Sequence, residues 1–266
     1  MSSSGTTQFQ EYALPDGRVV SCTNKFNTAG VWQEFSDGLY DRCVSRLRPG
    51  DTVVDVGGHV GLTSLLVTDA VPDLRIIACE PAPPTFECLV QNFDRHLPTA
   101  VAVNVAIGTQ PGTTTLTYYP NSDVMSTVLV NDEDDRRNIE AALTSFGVND
   151  ERQRQFHLAR TKSGAVEFPV KVITLAHLFA EHGLDEVGLL KVDVERAELD
   201  VFRSLDEHNW PGIRNIIAEV HDIDGQLAET VELLRDKGFH LDDLQQDMYD
   251  TGSTHMVTAT RDLPEG

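Results

Sequence analysis

The stretch Asp55-Val56-Gly57-Gly58-His59-Val60-Gly61 decides the fold of this 266-residue chain. It follows the apolar pair Val53-Val54 and precedes an amphipathic segment from Leu62 to Val71, so the order predicts a strand, a glycine-rich turn and a helix. Glycines let the backbone turn tightly and approach a ligand, and a helix start presents free N–H groups. A second apolar strand, 75–79, ends on Glu80, where a carboxylate that binds a ribose belongs.

Composition narrows the classes of partner. The formal net charge is -21, which disfavours surfaces that follow nucleic-acid phosphates or anionic membranes, because both need clustered Lys and Arg. The acidity is typical of a solvated surface, with attraction of cationic ligands as the lesser alternative. No apolar run of about 18 residues occurs. The four cysteines lack metal-ligand spacing, so we expect reduced thiols in a cytoplasmic protein: Cys22, Cys43, Cys79 and Cys88.

The middle of the chain alternates between strand and helix patterns, which predicts a mostly parallel sheet between helices with an antiparallel last pair. Strands are predicted at 53–56, 75–79, 101–107, 170–173, 188–193, 213–220, 239–244 and 254–260. Helices are predicted at 61–70, 84–96, 175–182, about 195–206 and about 225–237.

Three segments lie outside this alternation. Residues 9–50 form an N-terminal approach, with a strand-turn pattern at Pro15-Asp16-Gly17 and a helix over Trp32 to Leu47, after a disordered tail at 1–5. Pro111-Gly112 indicates a hairpin-like pair. Residues 120–168 are highly charged and suggest one or two polar helices, and we favour a lid over plain disorder there.

Acidic side chains stand at or near the ends of four predicted strands: Asp55, Glu80, Asp193 and Glu219. In parallel sheets ligands bind beyond the carboxyl ends of the strands. We therefore expect these carboxylates to share one rim.

Five motifs in order resemble the FkbM family of S-adenosylmethionine-dependent methyltransferases across about residues 50–245. They are Asp55 to Gly61; Cys79-Glu80-Pro81 followed by Phe86, Leu89 and Asn92; Val105 to Gly108; Leu190 to Glu195 with Ala197-Glu198; and Glu219-Val220-His221. The resemblance implies a class I Rossmann-like methyltransferase fold, a mostly parallel seven-stranded sheet with an antiparallel last strand and helices on both faces. It implies a methyltransferase domain at 51–262, with a cap at 1–50 and a lid-like insertion at 120–168.

This chain departs from the family pattern at three places. Gly58 and His59 stand where Ala and Asn are common, Arg196 stands where Gly is usual, and Ala176 replaces the Asp of a Thr-Leu-Asp motif. The first two departures are compatible with cofactor binding, whereas the third removes a carboxylate and leaves any duty at that position in doubt.

The resemblance implies S-adenosylmethionine as cofactor, and each part of that molecule makes its own demand. Gly57 and Gly61 would let backbone N–H groups meet the tail carboxylate, and Asp55 would position the turn or the ammonium. Glu80 offers two acceptor oxygens to the ribose hydroxyls, and the segment from Asn104 through Ala106 to Ile107 would lie against the adenine.

Methyl transfer to a hydroxyl needs alignment and a base. Strand alternation predicts that Asp193 and His221 face the transferred methyl, with His221 as the base because an imidazole titrates near neutrality. The competing interpretation is that Asp193 only caps the next helix. The spacing requires no metal, although Asp193, Glu219 and His221 together suit a divalent cation. An exposed loop position is the favoured account of His59.

The sequence therefore favours O-methylation of a small molecule or sugar in natural-product biosynthesis, with a small-molecule acceptor and neither nucleic acid nor membrane as partner. An NAD-dependent oxidoreductase is an alternative, since it shares the glycine turn and the following carboxylate. A non-catalytic cofactor-binding protein of the same fold is the other. The acceptor and the oligomeric state, a homodimer included, stay open.

Overall fold

The computed structural model describes residues 9–36, 38, 40–246 and 251–261, so the predicted tail at 1–5 lies outside the described residues. The strands are β1 (Gln10–Ala13), β2 (Val19–Cys22), β3 (Thr52–Val56), β4 (Arg75–Cys79), β5 (Val101–Val103), β6 (Ala106–Ile107), β7 (Gly112–Tyr118), β8 (Val166–Ile173), β9 (Val187–Val192), β10 (Ile213–His221), β11 (His240–Gln246) and β12 (Thr254–Thr260). The helices are α1 (Lys25–Ser36), α2 (Asp41–Val44), α3 (Leu62–Ala70), α4 (Pro83–His96), α5 (Asp132–Ser145), α6 (Glu151–Thr161), α7 (Leu175–His182), α8 (Glu198–Arg203) and α9 (Gln226–Asp236).

A seven-stranded sheet in the order β11-β12-β10-β9-β3-β4-β5 forms the centre of the molecule. Strands β10, β9, β3, β4 and β5 run parallel, and β12 is antiparallel to both of its neighbours. The predicted fold class is confirmed. The register sets Asp55 of β3 beside Lys191 of β9, which places an acid and a base on the same face in adjacent strands.

Each face of the sheet has its own apolar core, as strand alternation requires. Val54 and Leu190 belong to the core beneath α7, α8 and α9, whereas Val53 and Leu189 belong to the core that includes residues of α2, α3 and α4. Strand β9 is buried along its whole length. The consequence is that the charged Lys191 in this strand lies inside the protein and needs buried partners.

The predicted strand 101–107 divides into β5 and β6, and β6 joins a second, three-stranded sheet in the order β6-β8-β7. The hairpin predicted around Pro111-Gly112 does not form. Strand β8 lies between its two arms, pairing parallel to β6 and antiparallel to β7. Local turn chemistry predicted a contact between neighbours in sequence, but β7 pairs instead with β8 along its whole length, from Gly112 to Tyr118.

Two predicted helices have different bounds. Instead of one helix over 32–47, α1 begins earlier, after Asn24, whose side chain accepts the N–H of Phe26 at 3.0 Å. Helix α8 begins only at Glu198, after its N-cap Ala197, because Glu195 and Arg196 just before that cap have φ angles of 57° and 84°. Those left-handed angles cannot continue a right-handed helix.

The excursion at 120–168 holds two polar helices, as predicted. Helix α5 follows Asn131, whose side chain accepts the N–H of Asp134 at 3.1 Å, and α6 follows Asp150, whose side chain accepts the N–H of Gln153 at 2.9 Å. These are ordinary N-caps that satisfy free amides of the first turn. The insertion therefore has defined local structure.

All four cysteines are buried and free. Burial raises the pKa of the Cys88 thiol to about 12, so it stays protonated at neutral pH. Within the described residues, no helix combines the length and the apolar character that crossing a bilayer demands.

Candidate functional site

A cavity of about 1040 Å³ opens at the carboxyl ends of β3, β4, β9 and β10. Three of the four predicted rim carboxylates line it: Glu80, Asp193 and Glu219. Asp55, the fourth, is wholly buried behind the rim and does not line the cavity. The volume is at the upper end of the range of about 300–1,000 Å³ for small-molecule sites, so it has room for more than one ligand.

The glycines of the turn are needed for close packing, because a side chain at either Gly57 or Gly61 would collide with neighbouring atoms. Gly57 lines the cavity with a φ of 82°, and a Cβ there would lie 1.6 Å from the carbonyl oxygen of Asp193. Gly61 is not part of the lining; a Cβ there would lie 2.8 Å from Leu89 of α4. Their amides donate to Cys79 O at 2.9 Å and to Gly58 O at 2.8 Å. The predicted approach of a ligand carboxylate to the backbone of this turn stays a prediction.

Glu80 follows β4 and lies at the cavity wall. Its Oε2 accepts the N–H of His59 at 3.0 Å and its Oε1 accepts the N–H of Ala82 at 2.9 Å. Burial outweighs these bonds and the nearby charge of His59, and it raises the pKa of Glu80 to about 7. Each carboxylate oxygen has a second lone pair, so Glu80 can still accept hydrogen bonds from a ligand.

The predicted adenine-side residues divide. Ala106 lines the cavity, whereas Asn104 does not: its side-chain amide donates to the carbonyl oxygens of Glu80 at 2.8 Å and Pro81 at 3.2 Å. Asn104 thus fixes the backbone that carries the Glu80 carboxylate, and its contact with the adenine stays a prediction.

Lys191 is a site residue to which sequence reasoning gave no role. Its Nζ lies 3.3 Å from Asp55 Oδ1 and 3.2 Å from Asp193 Oδ2, and it donates to Gly57 O at 2.6 Å. Burial alone would lower the pKa of Lys191, but the two carboxylates outweigh it and raise the pKa. The signal in the sequence was a charge inside an apolar strand, which needs a buried counter-charge.

His221 lies at the end of β10, almost completely buried, between two carboxylates. Its Nε2 is 3.3 Å from Glu195 Oε2 and its Nδ1 is 3.4 Å from Glu198 Oε1. Burial would lower the pKa of His221, but Glu198 and Glu195 outweigh it and raise the pKa well above its ordinary value. The two carboxylates therefore favour the protonated imidazole, and the role of His221 as the base stays a prediction.

Asp193 and His221 both line the cavity, as predicted, but they are paired with different residues. Asp193 pairs with Lys191, whereas Glu195 and Glu198 hold His221.

In the part of the chain that the structure describes, one group suits a divalent cation, with ligand atoms within 4.8 Å of one another: Glu195, Glu219 and His221. Glu195 takes the place that the sequence had given to Asp193 in such a group. Carboxylate and imidazole groups suit a divalent cation, so these three residues are its candidate ligands.

His59 joins the glycine turn to the insertion, which corrects its expected exposed position. Its Nε2 lies 3.5 Å from Asp123 Oδ2, and Asp123 also accepts from Asn27 Nδ2 at 2.5 Å and from the Thr23 hydroxyl. Burial alone would raise the pKa of Asp123, but His59 and these donors outweigh it and lower the pKa. The N-terminal cap and the insertion therefore meet above the turn.

The far wall of the cavity is largely apolar. It is built by α1, the segment before α5, α5 itself with its C-cap, and α6, which contributes polar residues such as His157 and Arg160. Its apolar members include Phe26, Val31, Met125, Ile139, Ala142 and Phe146. Two of them, Phe26 and Phe146, are more than half exposed, so the mouth of the cavity presents aromatic surface to solvent.

This sheet order, with a cavity at the carboxyl ends of the strands beside a glycine turn, defines a Rossmann-like methyltransferase fold. The family model of the methyltransferase FkbM domain matches residues 55–241. The chain belongs to the FkbM methyltransferase family. The resemblance noted in the sequence, and the class of enzyme it implied, are thus confirmed.

Two curated relatives and one solved structure show the extent of the likeness. The chain is 34% identical to 31-O-demethyl-FK506 methyltransferase FkbM of Streptomyces tacrolimicus, over 93% of this chain and 95% of that protein. It is 31% identical to methyltransferase sdnD of Sordaria araneosa, over 82% and 84%. A crystal structure of methyltransferase FkbM from Methylobacillus flagellatus matches with a TM-score of 0.51 at 11% identity, over 80% of this chain and 44% of that one, which supports the fold alone.

Proposed function

We propose that this protein uses S-adenosylmethionine to methylate a hydroxyl group of a small molecule. The observation that carries the proposal is the meeting of four strand ends at one cavity, where Gly57, Glu80, Asp193 and His221 all contribute to the lining. The organisation as a cap at 1–50 and a methyltransferase domain at 51–262 with an insertion at 120–168 belongs to the same proposal.

The half of the cavity next to β3, β4 and β6 suits the cofactor. Glu80 would accept the ribose hydroxyls, Ala106 would contact the adenine, and Asp193 would face the cationic end of the molecule. When bound, the cofactor supplies an electrophilic methyl group. Because the cofactor carries a sulfonium and an ammonium, it favours the ionised form of the buried Glu80 carboxyl.

The apolar half suits the acceptor. Helices α1 and α5 enclose it, and the Glu195–His221 pair lies where the two halves meet. An acceptor with an apolar body would bury its surface here and place a hydroxyl toward the pair. The relative in Streptomyces tacrolimicus, named for a 31-O-demethyl substrate, is consistent with a hydroxyl acceptor.

The residues around His221 would move the proton. As the hydroxyl oxygen bonds to the methyl carbon, its O–H bond breaks and the Glu195–His221 pair takes the proton, while the sulfur keeps the electron pair of the broken S–C bond. Glu198, on the other ring nitrogen, fixes the orientation of the imidazole. The raised pKa of His221 means that the pair accepts protons more readily as the pH rises.

Ligand binding tests the cofactor. S-adenosylhomocysteine should raise the melting temperature of the purified protein, and NADH at the same concentration should not, because only a ligand of the folded state stabilises it. The reverse result would favour an oxidoreductase and contradict the proposal.

Isotope transfer tests the reaction. The protein is incubated with methyl-labelled cofactor and a panel of apolar alcohols, amines and carboxylic acids of increasing size. Label in base-stable, alcohol-derived products supports O-methylation. Label lost on mild base treatment indicates methyl esters, label in amines indicates N-methylation, and binding without any labelled product favours a non-catalytic protein.

A further inference from the structure

Arg196 occupies a backbone position that side chains rarely adopt. Its φ is 84°, and the preceding residue, Glu195, has a φ of 57°. Left-handed angles are costly for residues with a Cβ, so two in a row persist only where surrounding contacts hold them. Both residues carry a Cβ, so the loop conformation needs partners elsewhere in the molecule.

The contacts that hold Arg196 come from the insertion. Its Nε donates to Asp134 Oδ2 at 2.8 Å and another guanidinium nitrogen pairs with Asp135. All three side chains are buried: Arg196 is 2% exposed, Asp134 6% and Asp135 0%. Buried ion pairs are costly to break from one side, because the remaining charge is then left without a partner.

The same network reaches the second helix of the insertion. Lys162, the C-cap of α6, donates to the other carboxylate oxygen of Asp135 at 2.5 Å. Asp135 therefore lies between two cations, one from the β9–α8 loop and one from α6. Both insertion helices, which carry the acceptor wall, are tied to one arginine.

At its other end the network reaches the candidate base. The backbone N–H of Arg196 donates to Glu198 Oε1 at 2.7 Å, and the Thr127 hydroxyl donates to the backbone carbonyl oxygen of Glu195 at 2.7 Å. Both glutamates flank His221. One short loop therefore carries the contacts to the insertion and to the proton-accepting group.

We propose that Arg196 is a positioning residue: its buried contacts with Asp134 and Asp135 hold the insertion helices against the β9–α8 loop and transmit cofactor occupancy to the acceptor wall. Filling of the cavity beside this loop then slows the local opening of α5 and α6, so that the acceptor side is held more firmly when the methyl donor is present. The transmission rests on the proposed cofactor, whereas the attachment of the helices by Arg196 does not.

The variant Arg196→Gly tests the side-chain contacts of Arg196 without adding backbone strain. Glycine accepts the 84° angle, so the loop keeps its conformation while the ion pairs are lost. Hydrogen exchange of the full chain should become about tenfold faster or more across 132–161 and stay unchanged in β3 and β9. Unchanged exchange in 132–161 would overturn the proposal.

Exchange with and without S-adenosylhomocysteine tests the transmission. In the unaltered protein the ligand should slow exchange both in the 193–197 loop and in 132–161; in Arg196→Gly it should slow only the loop. Equal ligand-induced protection of 132–161 in both proteins would leave Arg196 as a structural residue only and would contradict the inference. If the ligand protects neither protein anywhere, the proposed cofactor is wrong. The lack of protection in 132–161 then contradicts the transmission as well. Exchange measured without ligand still decides whether Arg196 holds the helices.

Two further variants keep the test decisive. Asp73→Gly is the control for relief of backbone strain, since Asp73 also has a left-handed φ, 59°, but lies at an exposed position. It should leave the exchange rates in 132–161 unchanged. Asp135→Asn breaks the network from the other side with the arginine in place, and should loosen the same helices. Should Arg196→Gly not fold, Asp135→Asn carries the test, and normal exchange in that variant would refute the proposal.

Discussion

The two walls of the cavity are held in place by different means. On the cofactor side, Glu80 and Asp193 follow strands of a parallel sheet, and the ladder of backbone hydrogen bonds fixes their positions. On the acceptor side, the insertion is fixed near the site by side-chain contacts such as Arg196–Asp134 and His59–Asp123. A backbone ladder tolerates changes of side chain, whereas side-chain contacts depend on particular residues. Loss of those side-chain contacts should therefore free the acceptor wall while the central sheet stays folded.

On the proposed cofactor side, the sheet also depends on a buried side chain, Lys191. Its replacement should have the largest effect on stability. Lys191→Met should destabilise the protein by about 3–5 kcal/mol, because Asp55 would remain buried without its cation. Urea unfolding at neutral pH measures the loss. Lys171→Met, at an exposed position of β8, should stay within about 0.5 kcal/mol. Equal stability of the two variants would show that the ion pair does not support the sheet.

Gly57→Ala tests whether the turn is a packing feature. A left-handed residue with a Cβ costs about 1–2 kcal/mol, and forcing the Cβ against the Asp193 carbonyl adds about 1–3 kcal/mol. Gly17→Ala is the matched control, since Gly17 has a φ of 92° with nothing within 4 Å of its Cβ position. In urea unfolding, Gly17→Ala should lose only the about 1–2 kcal/mol that the left-handed angle costs. A Gly57 variant no less stable than the Gly17 variant would mean that the strand end can shift.

His221→Ala tests the junction of the two walls. Turnover of the acceptor found by the panel should fall about 100-fold with loss of the proton acceptor, while the affinity for S-adenosylhomocysteine measured by calorimetry should change little. In the unaltered enzyme kcat/KM should rise with pH, with its inflection above the ordinary imidazole value of about 6.5, because the pKa of His221 is raised. A flat profile, or full turnover without His221, would remove it from the mechanism.

Glu80→Gln should have the smallest effect. Loss of one charged acceptor should weaken S-adenosylhomocysteine binding about tenfold, which corresponds to about 1.4 kcal/mol. The pKa of Glu80 is about 7, so binding to the unaltered protein should weaken as the pH falls through 7 and the carboxyl gains a proton. The glutamine variant should lack this pH dependence. A dependence that persists in Glu80→Gln would assign it to another group.

Sequence reasoning succeeded where structure follows from local pattern. The alternation of apolar segments predicted the order of the central elements, and α7 has the predicted bounds. Glu80 and Asp193 could be placed on one rim because parallel strands present their carboxyl ends on the same side. The left-handed angle of Arg196 also agrees with the glycine that is usual at that position.

The sequence by itself determined the sheet, the turn and the rim, because short-range periodicity and turn chemistry encode them. Only the tertiary structure decided which charges meet. Lys191 reaches Gly57 across 134 residues, and Arg196 reaches Asp134 across 62. No local pattern specifies such pairs; they arise when strand register and the packing of the insertion bring distant residues into the same buried space, where each charge requires a partner.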